Sequence, residues 1–182
     1  MTCKNIAVIA LGTVISLSTL GGCSSTESSV NIERYSLIDG ITSASMDREY
    51  KVTTKVYGIL ADGSLVIRTS DVGLRPAVHH KWSSKLEDQL SIIMRDALIK
   101  YSVPKNVEVA VEVKDFYGST SGEVYIDAFV NAKNGKNTLF KDPFVYHGKQ
   151  STAGYSALAS ELKAGWIEIC EQAAVKIAAT AK

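Results

Sequence analysis

From Val107 to Lys114 the chain alternates strictly, with Val107, Val109, Val111 and Val113 set against Glu108, Ala110, Glu112 and Lys114. A period of two with β-branched residues on one side is the pattern of a strand that buries one face. The Gly-Ser-Thr-Ser-Gly stretch from Gly118 to Gly122 reads as a link into a second strand, Glu123 to Ala132. Asn134-Gly135 is a strong two-residue hairpin signal, and it returns the chain through Thr138 to Lys149. These signals predict a long antiparallel meander. Upstream, Arg34 to Ile38 alternates and predicts a first strand, and Tyr50, Val52, Thr54 and Val56 share one face of a second. Asp62-Gly63 then punctuates the chain before a third strand at Leu65 to Arg68. Asp71 to His80 shows no regular period and is read as irregular.

Two stretches carry the helical period instead. Leu86, Leu90, Ile93, Met94, Ala97, Leu98 and Tyr101 recur at intervals of three and four, and Pro104 closes the run. Ser84 and Glu87 have the spacing of a capping box, which predicts reciprocal side-chain bonds at the start of this helix. Near the end of the chain, Tyr155, Leu158, Leu162, Trp166, Ile169, Cys170, Ala173 and Ile177 define a second amphipathic helix. Apolar faces this broad are expected to cover a sheet.

The first residues follow a different logic. Lys4 places one positive charge ahead of an apolar run from Ile6 to Leu17, after which come Leu20-Gly21-Gly22-Cys23. Charge, apolar run and small residues in that order form a secretory signal, too short for a membrane span of roughly 20 residues. A cysteine directly after the small residues resembles a bacterial lipobox. That resemblance implies a signal peptide over residues 1–22, an acylated Cys23 as first mature residue, and, with Ser24 behind it, sorting to the outer membrane. Residues 23–32 read as a polar tether and 33–182 as one domain.

Composition narrows the function further. Lys plus Arg number 20 against 19 for Asp plus Glu, and the signal carries one of the lysines, so the mature chain is formally neutral. No basic stripe is present to follow a phosphate backbone, which argues against nucleic acid. Cys3 leaves with the signal and Cys23 is acylated, so Cys170 stands alone in a helical apolar stripe, as a buried hydrophobe would. His79-His80 and His147 offer no tetrahedral ligand set, and no metal or other cofactor is expected. No Gly-x-Ser-x-Gly elbow marks a nucleophile, and the Gly118–Gly122 link lacks the lysine and following helix of a phosphate loop. Arg68, Asp71 and Trp82 flank the entrance to the first helix and are the candidate partner or oligomer surface, with core packing the alternative for Trp82.

With these residues in view, the chain resembles the PqiC-like family, the auxiliary lipoproteins of ABC-type and MCE-protein transport systems. The resemblance rests on the lipobox, Tyr35-Ser36-Leu37, Leu65 to Asp71, His80 to Leu90, Val113-Lys114-Asp115-Phe116, Gly122-Glu123-Val124 and the closing helix with Gly165-Trp166. The family often carries proline where Tyr57 and Lys85 stand. The resemblance implies a three-layer α/β arrangement, a mixed, largely antiparallel sheet covered by the two helices. It also implies a non-catalytic lipoprotein anchored in the periplasmic leaflet of the outer membrane. Its implied partners are an MCE-domain tube protein and that protein's inner-membrane partner, with a homo-oligomeric ring as one mode of assembly. A stand-alone lipid-binding lipoprotein and an envelope hydrolase are the alternatives.

Overall fold

A computed structural model describes residues 31–41 and 50–181; Cys23 and the tether lie outside the described residues. The described residues form β1 (Glu33–Tyr35), β2 (Lys51–Val56), β3 (Ser64–Arg68), β4 (Leu74–Trp82), α1 (Leu86–Lys100), β5 (Val107–Ser119), β6 (Glu123–Asn134), β7 (Asn137–Lys149) and α2 (Tyr155–Thr180). The strands make one mixed sheet in the order β1-β4-β3-β5-β6-β7. Strand β5 is long enough to take two neighbours on one edge. β2 runs parallel beside its first half, from Glu108 to Val113, and β3 pairs parallel with its last residues, Gly118 and Ser119. The other edge of β5 carries the expected antiparallel meander through β6 to β7, turned at Gly135, whose φ of 59° is the left-handed geometry a tight hairpin requires.

The alternation in β5 does what its sequence predicts. Val107, Val109, Val111 and Val113 are buried, and their neighbours Glu108, Ala110, Glu112 and Lys114 are exposed. The valines pair across to Ala132, Val130 and Ala128 of β6, and the helices cover that shared face. Both helices lie on it side by side. Trp166 of α2 is fully buried and its Nε1–H donates to the Leu90 carbonyl of α1 at 3.1 Å, while the Ser91 hydroxyl of α1 reaches Thr54 of β2 at 2.8 Å. The α/β class, mixed sheet and two covering helices are as expected. Among the described residues no helix covers the second face, where Glu108, Glu112 and Lys114 of β5 are exposed.

Two local expectations give way. Leu74 to Trp82 is a strand, not irregular chain: Arg68, Ile67 and Val66 pair with Leu74, Arg75 and Pro76, and the register then slips before Ser64 meets Lys81. That slip, together with Pro76, erases the alternation that would have marked it. The Ser84–Glu87 capping box is also absent. α1 starts one residue later than the box requires, with Lys85 as N-cap and no side-chain cap bond. Buried Gln89 does the joining instead: its Oε1 accepts from the Leu37 amide at 2.7 Å and its Nε2 donates to the Ser84 carbonyl at 3.2 Å. Among the described residues the core falls between Leu37 and Ile177, all of which a chain starting at Ser24 retains.

Candidate functional site

The uncovered sheet face carries a compact group of charged and aromatic side chains. A bulge in β5 between Val113 and Asp115 resets the alternation, so Asp115 and Tyr117 turn to the open face, where they pair with Asp127 and Tyr125 of β6. Arg68, at the end of β3, lays its guanidinium 4.8 Å from the Tyr117 ring centre and 5.5 Å from that of Tyr125. A guanidinium over an aromatic face is attracted to the ring quadrupole. Burial and the neighbouring Asp127 carboxylate raise the Asp115 pKa, and Arg68 opposes that rise. Burial likewise raises the Tyr117 hydroxyl, with Asp115 adding to it. Tyr125 donates to Glu123 at 2.7 Å, and this bond is the main reason its pKa is raised. His147 of β7 meets Tyr125 edge-on at 5.1 Å, extending the group to the outermost strand. Tyr117 is itself 2% exposed beneath these neighbours, so the outer surface here is presented by the half-buried Arg68 and Tyr125 and the exposed His147.

The three expected surface residues do not come together. Arg68 belongs to this patch. Asp71 is exposed at the tip of the β3–β4 hairpin, and Trp82 lies at the far end of β4, 3% exposed and packed on Phe116 at 5.9 Å. Trp82 is a core residue at the end of β4, as the core-packing alternative had it. Sequence reasoning missed this group: Tyr125 and Asp127 share a face by plain alternation in β6, but only the β5 bulge brings Asp115 and Tyr117 opposite them.

The histidines are also apart. His79 and His147 are exposed, whereas the His80 ring stacks on Tyr155 at 3.8 Å and its Nδ1 lies 3.0 Å from the Tyr35 hydroxyl. Among the described residues no three His, Cys, Asp or Glu side chains gather as metal ligands. Cys170 is fully buried, and desolvation pushes its thiol pKa well up, as suits a packing residue.

A further concavity opens at one end of the sheet. It has a volume of about 500 Å³ and lies between the β5–β6 turn and the start of α2. Arg75 and Lys149 stand on its wall.

The described residues define an α/β domain, an open mixed sheet with two helices packed on it. Residues 53–174 match the family described as ABC-type transport auxiliary lipoprotein component, and the chain belongs to that family. A crystal structure of an uncharacterized protein superposes with a TM-score of 0.66 at 25% identity, covering 70% of this chain and 90% of that one. A protein from Xanthomonas campestris shares the fold with a TM-score of 0.62 at 12% identity, over 72% of this chain and 85% of its own. No curated protein matches the chain.

Proposed function

We propose that this lipoprotein is a non-catalytic component of an MCE/ABC-type intermembrane lipid transport system, held in the outer membrane by acylated Cys23 and docking the periplasmic tube protein. The match to the transport auxiliary lipoprotein family over residues 53–174 carries the reading. Leu20-Gly21-Gly22-Cys23 followed by Ser24 supports the anchor and its destination. The pairing of half-buried Arg68 and Tyr125 at the surface, over buried Tyr117, supports recognition as the mode of action, since arginine and tyrosine are the residue types that dominate interface energetics.

The test is capture. A chain starting at Ser24 is expected to co-purify with an MCE-domain protein of the same cell. Arg68→Ala is expected to weaken that capture about tenfold, the effect of losing one hot-spot side chain of about 1.4 kcal/mol. Circular dichroism should match wild type. Failure of the wild-type chain to bind refutes the docking role, and full binding by the Arg68 variant moves the contact elsewhere. In cells, Cys23→Ser should abolish fatty-acid labelling and leave unprocessed precursor; a labelled serine variant refutes the anchor.

A further inference from the structure

One end of the sheet combines features that the open-face patch does not use. β3, β5 and β7 finish there, and β4, β6 and α2 begin there. The cavity of about 500 Å³ at this end has an apolar floor of Ile67, Tyr155 and Leu158, and hydroxyl-rich segments at 119–122 and 150–154 form its rim. Arg75 and Lys149 reach it from β4 and β7, strands on opposite sides of β5 in the sheet order, and no Asp or Glu lines it. The nearest acid is Glu123, the cross-strand partner of Lys149, which lies outside the cavity lining. Glu123 accepts from Tyr125 and Ser121, and Asp71 sits at the hairpin tip.

Exposed apolar side chains border the same end. Val72 at the hairpin tip is 98% exposed and Leu74 beside it 39%, while Val78 further along β4 is 73% exposed and Ile32 is 42% exposed. Among the described residues β1 pairs with β4 at His80 to Trp82 and no strand lies beside Leu74 to His79 on that edge. Because β1 and β4 are parallel, the chain arrives at Glu33 from the Leu74 side of β4. The ten residues that join Cys23 to Glu33 span at most about 35 Å when extended.

We infer that this end of the domain rests on the membrane that holds the anchor, with Val72 and Leu74 in the lipid interface and the cavity receiving the phosphate of an anionic phospholipid headgroup between Arg75 and Lys149. The inference takes the direction of the tether from the proposed Cys23 anchor. An apolar floor with cations at its rim suits a ligand that has an acyl part and one negative head. Cations at an anionic surface and apolar side chains at its boundary reinforce one another, because each alone gives weak, reversible attachment.

The experiment replaces the native anchor, so that it does not depend on acylation. The chain starting at Ser24 is tethered by an N-terminal hexahistidine tag to vesicles containing nickel-chelating lipid and brominated acyl chains, with either phosphatidylglycerol or phosphatidylcholine as the bulk lipid. Trp82 and Trp166 are buried and give a constant background. Val72→Trp should be quenched by the bromines. Val175→Trp, on α2 about 30 Å along the helix from Tyr155, should not. Arg75→Gln with Lys149→Gln should lower the fraction of domain seated on phosphatidylglycerol vesicles, by about 30-fold in the seating equilibrium for two interfacial charges, and leave the phosphatidylcholine result unchanged. Equal quenching at positions 72 and 175, or seating on phosphatidylglycerol that ignores the two charges, overturns the proposal. Fatty-acid labelling of Cys23 in cells reports the anchor separately, so either reading can fail alone.

Discussion

Gly165→Ala should destabilise the domain, although it places a better helix former in the middle of α2. Glycine to alanine inside a helix ordinarily gains about 1 kcal/mol. Here the methyl group has no room. A Cβ on Gly165 would overlap the Tyr146 ring, which also lies against Gly148 of its own strand and donates from its hydroxyl to Glu161 Oε1 at 2.6 Å. The two glycines form the slot that lets this ring lie flat between β7 and α2. Overpacking of this kind costs about 1–3 kcal/mol, and a displaced ring also loses a hydrogen bond to a charged group, about 1.5–3 kcal/mol. Set against the propensity gain, the net expectation is a loss of about 1.5–5 kcal/mol. That corresponds to about 2–4 °C in Tm for each kcal/mol in a domain of this size. Urea unfolding of the chain from Ser24 measures it. The decisive comparison is Gly165→Ala in a Tyr146→Ala background, where the slot is empty and the substitution should turn mildly stabilising, giving a coupling of about 2 kcal/mol or more. A neutral or stabilising Gly165→Ala in the wild-type background, or additivity with Tyr146→Ala, would refute the slot.

Ser84→Ala should change stability by less than about 0.5 kcal/mol, because no cap bond exists to lose, while Gln89→Ala should cost about 1–3 kcal/mol by leaving the Leu37 amide unpaired; urea unfolding of both variants decides. Tyr146 has its pKa pushed up to about 12, first by its bond to Glu161 and then by burial. Its folded pKa lies above the unfolded value near 10, so its contribution is fully present below pH 10 and is lost as pH rises through about 12. Unfolding measured at pH 9 and above pH 11 should show this loss, and Tyr146→Phe should remove that tyrosine's share of it. Cys170 should resist a thiol reagent in the native state and react fully in urea; native labelling at the unfolded rate would contradict its burial.

Much of the fold was legible because β5 and both helices write their burial directly into residue type. Val107 to Val113 and the run from Leu86 to Leu98 need no tertiary knowledge to be read. β4 was illegible for a physical reason: its slipped register and Pro76 break the period that betrays a strand. The capping box failed through competition, with Gln89, a polar residue inside an apolar stripe, marking the place where the chain from Leu37 is held. The open-face patch depends on a bulge in β5, and a bulge leaves no periodic trace.

The double use of one edge of β5 sets the order in which the molecule can be assembled. Lys51 meets Glu108 across a separation of 57 residues, and β3 likewise has no parallel neighbour until Gly118 and Ser119 exist. Closing loops of that size costs entropy that only the finished contacts return. β5, β6 and β7 are joined by tight turns and can zip together early, and α2 can settle on them as a unit. The first half of the chain, although it is synthesised first, has no seat until that platform is present. An N-terminal fragment ending before Val107 therefore lacks the strand that templates β2 and β3, and it would remain an open chain while the C-terminal meander gathers around its own turns.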